Sequence, residues 1–183
     1  PERLLACWLA PSSARLHCHV ARQDDEGAGC TTPDPGLPLE TTSRVELRLM
    51  GQALAVSVNG SLACSAEGFV AKFKGMGGAS FTLGSKAHEV AEAVLANIHY
   101  KARLDEPEAA EWGAPRVPPV RTLLGPQRRC ERGKLVVGDL VSAEEFEVAF
   151  DIIGWARAGP EGMLQSIMLF ATTNNHYGHQ GDR

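Results

Sequence analysis

Aromatic residues are scarce in this 183-residue chain, at 6%. An exposed platform for stacking on sugar rings is therefore not evident. Long apolar runs are missing too. None approaches the roughly 18 residues that a membrane-spanning helix needs, so no span is expected in this segment. Positive charge is not in excess: 18 Lys and Arg stand against 22 Asp and Glu, for a net charge of −4. A nucleic-acid partner, which selects for a basic face, is thereby argued against. The five cysteines include no C-x-x-C pair, which leaves little support for a zinc ribbon or a thioredoxin-like site. There is no G-x-S-x-G around a serine. Gly75-Met76-Gly77-Gly78 lacks the Lys and the following helix of a phosphate-binding loop. An enzyme is not expected, nor a cofactor. An initiator Met and a signal peptide are also missing, and the ends at Pro1 and Arg183 are expected to be cuts in a longer tandem array.

What is present is alternation. Apolar residues make up 44% of the chain, and many fall at every second position. In Arg44-Val45-Glu46-Leu47-Arg48-Leu49, three apolar side chains share one face and the charges share the other. Phe146, Val148 and Phe150 repeat the pattern beside Glu145, Glu147 and Ala149. Strands are expected over 4–9, 14–20, 44–50, 52–58, 61–65, 69–73, 80–83, 95–103, 134–137, 146–151 and 163–172. Gly, Pro, Asn and Asp punctuate the intervals. Many short strands between turns imply two packed sheets. Residues 86–96 alone have helix propensity, and a short helix is expected there, with an irregular loop as the alternative.

Two stretches read as connections. Residues 23–40 are polar and rich in Gly, Pro and Asp, as in an exposed loop. Residues 104–126 hold Pro107, Pro115, Pro118, Pro119 and Pro126, five of eleven prolines. Such a stretch cannot enter a sheet interior and should run extended between two units. The boundary is placed at 104–130. Trp112 lies within it, as a contact for a neighbouring chain or a cover for its own linker.

Cys7, Cys18, Cys30, Cys64 and Cys130 are disulfide candidates in an oxidising compartment. Two bridges among five cysteines allow fifteen pairings with one left over, so the connectivity stays open. Buried free thiols in a cytosolic protein are the alternative. Asn59-Gly60-Ser61 is an N-glycosylation sequon in a secreted chain. It is equally the centre of a two-residue hairpin, where Asn-Gly supplies the positive φ angles of a type I′ turn. His17 and His19 should share one strand face with Cys18 on the other. A metal there would need a third ligand, and a polar face is the simpler reading. His176 and His179 lie near Asn174, Asn175 and Asp182, whose oxygens suit Ca²⁺. The spacing matches no EF-hand loop, so a polar turn is expected and Ca²⁺ is not. Glu145 and Glu147 share a face, but a solvated one rather than a glycosidase pair.

The run Glu145-Phe146-Glu147-Val148-Ala149-Phe150-Asp151, then Trp155, Ile167-Met168-Leu169-Phe170-Ala171-Thr172-Thr173, Tyr177-Gly178 and Gly181-Asp182-Arg183, resembles the opening third of a jelly-roll repeat. The repeat is concanavalin-A-like and occurs in large secreted glycoproteins, including the tubular mastigoneme-like proteins of flagella. Leu4-Leu5-Ala6-Cys7-Trp8-Leu9 and Ser13-Ala14-Arg15-Leu16-His17-Cys18 resemble the stretch that comes after Gly-Asp-Arg in that repeat. Residues 44–49, 52–64 and 94–100 resemble its later strands. The resemblance covers about 130 residues, in permuted order. Asn174-Asn175-His176 stands where the family commonly has a Gly-rich, often Cys-containing run, so no disulfide is expected there.

The resemblance implies an all-β protein, a two-sheet jelly-roll sandwich with a Pro-rich linker and part of an adjacent repeat. Residues 1–103 would be the last two-thirds of one repeat, 104–130 the linker and 131–183 the first third of the next. It further implies a non-enzymatic, N-glycosylated, disulfide-bonded structural segment of extracellular flagellar filaments. Partners would be filament neighbours, joined through strands and linker, and a channel in the flagellar membrane as anchor. Cut units leave sheet edges unpaired. Strands of 131–183 are therefore expected to pair with a different unit or chain. The alternative function is a carbohydrate-binding, lectin-like module of a cell-surface protein.

Overall fold

The computed structural model describes residues 3–10, 13–22, 27–71, 79–86, 88–103, 121–140, 145–154 and 164–172. Fourteen strands and no helix are found among them. No helix there is long and apolar enough to cross a membrane. One sheet contains β1 (Arg3–Leu9), β2 (Leu16–Ala21), β3 (Gly27–Thr31), β7 (Ala79–Leu83), β8 (Glu89–Val90), β12 (Lys134–Leu140) and β14 (Gln165–Thr172). Its order is β12-β7-β14-β1-β2-β3, and β8 adds to β14. The other contains β4 (Thr42–Met50), β5 (Ala53–Val58), β6 (Ser61–Glu67), β9 (Ala93–Arg103), β10 (Arg121–Leu124), β11 (Arg128–Arg129) and β13 (Glu145–Gly154). Its order is β10-β9-β13-β4-β5-β6, and β11 adds to β9. Every pairing between these strands is antiparallel except β14 with β8. The two sheets pack as a sandwich of the jelly-roll class.

The alternating sequence generates this directly. Val45, Leu47 and Leu49 of β4 are fully buried, and so are Val148 and Phe150 of the neighbouring β13. The intervening Arg, Glu and Asp positions remain at least partly exposed. From the other sheet, Leu5, Cys7, Leu16, Cys18, Val20, Phe81, Leu83 and Met168 close the same core. Four rings cross between the layers. Phe81 lies 4.8 Å from Phe170, Phe170 5.8 Å from Tyr100, and Tyr100 5.9 Å from Phe146, centroid to centroid. Such pairs add about 0.5–1.5 kcal/mol each beyond their buried area.

Four expectations are corrected. First, the described strands within 131–183 do not belong to a separate unit. Val148 pairs with Leu47 on one side and Tyr100 on the other, so β13 sits inside the second sheet. Ala6 pairs with Leu169, and Phe81 with Phe170, so β14 sits inside the first. The strands that were to seek another chain complete the sandwich of 1–103. Second, residues 121–130 are not a free linker. Arg121 pairs with Tyr100, and Arg128 with Leu95, as two short strands at the sheet margin. Pro126 falls between them, where no ladder hydrogen bond is needed. Residues 104–120, with Trp112, lie outside the described residues. Third, 86–96 forms β8 and the start of β9 instead of a helix. Its alternating Ala93, Leu95 and later Ile98 serve the core better than a helix stripe of two turns would. Fourth, the 23–40 loop contains β3. Gly27 and Gly29 leave room for the His19 ring and the backbone of Cys18, which a Cβ at either place would strike. The glycines that mimic a loop in the sequence are what permit this strand.

Phe150 is fully buried on the strand that joins β4 to β9. Phe150→Ala should lower stability by about 3–5 kcal/mol, read as a fall in the urea midpoint at unchanged slope.

Candidate functional site

Cysteine chemistry dominates the buried side of the first sheet. Cys30 on β3 and Cys64 on β6 form a disulfide, with Cα atoms 5.8 Å apart. These two strands are the last in their sheets on the same side of the sandwich. The bond therefore joins one sheet to the other where neither has a further strand. It closes a chain segment with a sequence separation of 34. Chain-entropy arguments assign such a loop about 3–4 kcal/mol. Cys7 and Cys18 are fully buried in the core. Cys130 lies elsewhere, its backbone N–H donating to the carbonyl of Ala93. Burial pushes its thiol up to about 12, so it is a poor nucleophile at neutral pH.

The Asn59 sequon lies on the β5–β6 hairpin. Asn59 and Gly60 have φ of 50° and 80°, as the type I′ turn requires. The Asn59 backbone N–H donates to the Arg44 carbonyl, and its Oδ1 accepts from the Arg44 N–H, each at 2.8 Å. The turn is thus fixed by β4 while Asn59, Gly60, Ser61 and Leu62 all stay exposed. A glycan on Asn59 would project from the rim without displacing a packed side chain. Sequon and turn are both accommodated.

His17 and His19 do share the outer face of β2, their rings 6.1 Å apart. A buried Trp8 from β1 fills the space beside them, 5.7 Å from His17 and 6.2 Å from His19. His88 meets the same indole at 5.8 Å. Trp8 and His88 were not part of the sequence expectation, because neighbours across strands are invisible at a spacing of two. The cluster is a packed aromatic patch. No group of three His, Cys, Asp or Glu suited to a metal ion occurs among the described residues. His17 Nδ1 lies 2.8 Å from the Thr31 hydroxyl. Desolvation holds its pKa below the ordinary 6.5.

Carboxylates on the outer face of the second sheet are engaged with the scaffold. Asp151 Oδ1 pairs with Arg44 at 3.0 Å, and its Oδ2 accepts from Asn97 at 2.6 Å. Asn97 has a φ of 48° at a bulge in β9. Glu145 accepts from the backbone N–H of Gly51 at 2.9 Å. These contacts fit a solvated, hydrogen-bonded face and not a cleft. Every described Phe, Tyr and Trp is at most 6% exposed. The described sandwich therefore presents none of these rings for stacking on a sugar. Asn174, Asn175 and Asp182, with His176 and His179, lie outside the described residues. Compared with known proteins, the chain matches no family model, no curated protein and no solved structure.

Two substitutions probe these features. Cys64→Ala should lose about 3–4 kcal/mol of stability, measured by urea unfolding without reductant. His17 is harder to protonate folded than unfolded. The unfolded chain therefore binds more protons between the lowered value and 6.5, and stability falls as pH drops through that window. His17→Gln should flatten this acid-side slope and leave stability above pH 6.5 without that dependence.

Proposed function

We propose that this chain is a structural β-sandwich segment of a secreted glycoprotein, working through its shape and its linkages. The Cys30–Cys64 disulfide carries the proposal. A bond between the margins of two sheets persists in an oxidising compartment and is rare under cytosolic reducing conditions. The exposed, rigid Asn59 turn adds a position at which a glycan would be tolerated. The arrangement of Asp151, Arg44 and Asn97 supports a face built for stability.

Extracellular flagellar filaments of the mastigoneme type are the setting that the sequence resemblance suggests. Strand contacts between units would then fall to the sheet margins, since β13 and β14 are already paired on both sides. Leu62 on β6 and Leu135 on β12 are the apolar residues most exposed there, at 66% and 58%. Marginal strands of this kind are where neighbouring chains add.

Mass spectrometry of tryptic peptides from material secreted by the cells that make it is the test. An N-glycan on Asn59 is expected, together with antibody labelling along flagellar surface filaments. Unmodified Asn59 in a cytosolic pool, with Cys30 and Cys64 as thiols, would overturn the proposal.

A further inference from the structure

The inner face of the first sheet carries a row of cysteines. Cys7 on β1 stands directly opposite Cys18 on β2, and Cys18 stands directly opposite Cys30 on β3. Cys30 then reaches across the core to Cys64. Cys7 and Cys18 are both wholly buried, and their Sγ atoms lie 2.7 Å apart. That is closer than two non-bonded sulfurs settle and approaches covalent reach. We propose that Cys7 and Cys18 form a second disulfide, a rung between β1 and β2 beside the Cys30–Cys64 bond.

Three arguments converge on this pairing. Register places the two Cβ atoms side by side on one face, as a cross-strand bridge requires. Cys30, the other neighbour of Cys18, is already committed to Cys64. The five cysteines then resolve into two bridges and one thiol, Cys130, which sits apart beside Ala93. The open question of connectivity in the sequence thereby receives one answer from the fifteen.

The chemistry fixes when the bond forms. Burial and the adjacent sulfur hold the Cys7 thiol well above its ordinary value. The thiolate that attacks a disulfide is therefore scarce once the core has closed. The bond must form while the β1–β2 hairpin is still open to solvent, and this hairpin brings together residues only 11 apart. The oxidant is a low-molecular-weight disulfide or a disulfide oxidoreductase. One cysteine thiolate attacks it, forming a mixed disulfide and releasing one thiol. The second cysteine thiolate attacks the protein sulfur of that mixed disulfide and releases the other thiol. Two protein thiols lose two electrons and two protons, the reagent disulfide gains them, and one S–S bond forms. After closure the same burial shields the rung from reductants.

The inference shares the oxidising compartment of the proposed function, and one experiment separates the two. Wild-type chain secreted from a eukaryotic host is denatured with N-ethylmaleimide present and digested with trypsin without reduction. Cleavage after Arg3, Arg15, Arg22, Arg44, Arg48, Lys72, Arg129 and Arg132 places the five cysteines on five peptides: 4–15, 16–22, 23–44, 49–72 and 130–132. The expected map joins 4–15 to 16–22, joins 23–44 to 49–72, and carries maleimide on Cys130 alone. Maleimide on Cys7 and Cys18, with the 23–44 to 49–72 link intact, overturns the second bridge and leaves the secreted reading standing. A link between 16–22 and 23–44 overturns the second bridge as well. Maleimide on all five cysteines overturns both proposals.

Discussion

Backbone hydrogen bonding along both sides of β13 and β14 is the constraint on which the other features depend. β13 lies between β4 and β9, and β14 between β1 and β7. Without them each sheet would divide into two halves, with new unpaired edges facing water. The core would also lose Phe146, Val148 and Phe150, the buried side chains that lie between β4 and β9. Chain order and spatial order are therefore strongly uncoupled. The core is closed by residues roughly 100 positions from those they meet, which carries a large loop-closure cost before the contacts form.

Two devices secure what remains at the margins. The Cys30–Cys64 bond joins β3 to β6, the last strands of the two sheets on one side. The opposite margins, β12 and β10, come near each other without such a bond. The molecule thus has a stapled side and an unstapled side. A disulfide of this kind persists in an oxidising compartment and is rare under cytosolic reducing conditions. The Asn59 turn belongs to the stapled side, in the same β5–β6 hairpin that carries Cys64.

Much of the strand content was legible, because period-two alternation is a local signal. Val45, Leu47 and Leu49, and Phe146, Val148 and Phe150, announced both their strands and the faces they bury. The Asn59-Gly60 hairpin was equally plain, since few dipeptides supply two positive φ angles. Partnership was not legible. Nothing local in 145–154 says that its neighbours are β4 and β9, and a linker rich in proline suggested a boundary instead. Gly27 and Gly29 read as loop because their function, clearance for His19 and Cys18, is visible only across strands. The same limit hid Trp8 and His88 beside His17 and His19. It also hid the pairing of the cysteines, whose spacing along the chain carries no register.

The central claim is that a single chain fills both sheets, with β13 and β14 as interior strands. Urea unfolding of the intact chain, set beside a chain truncated after residue 130, tests it most directly. The intact chain should unfold in one cooperative transition whose midpoint does not move with protein concentration, and the truncated chain should show no cooperative transition. Cooperative unfolding of the truncated chain, or a midpoint for the intact chain that climbs with concentration, would contradict the account.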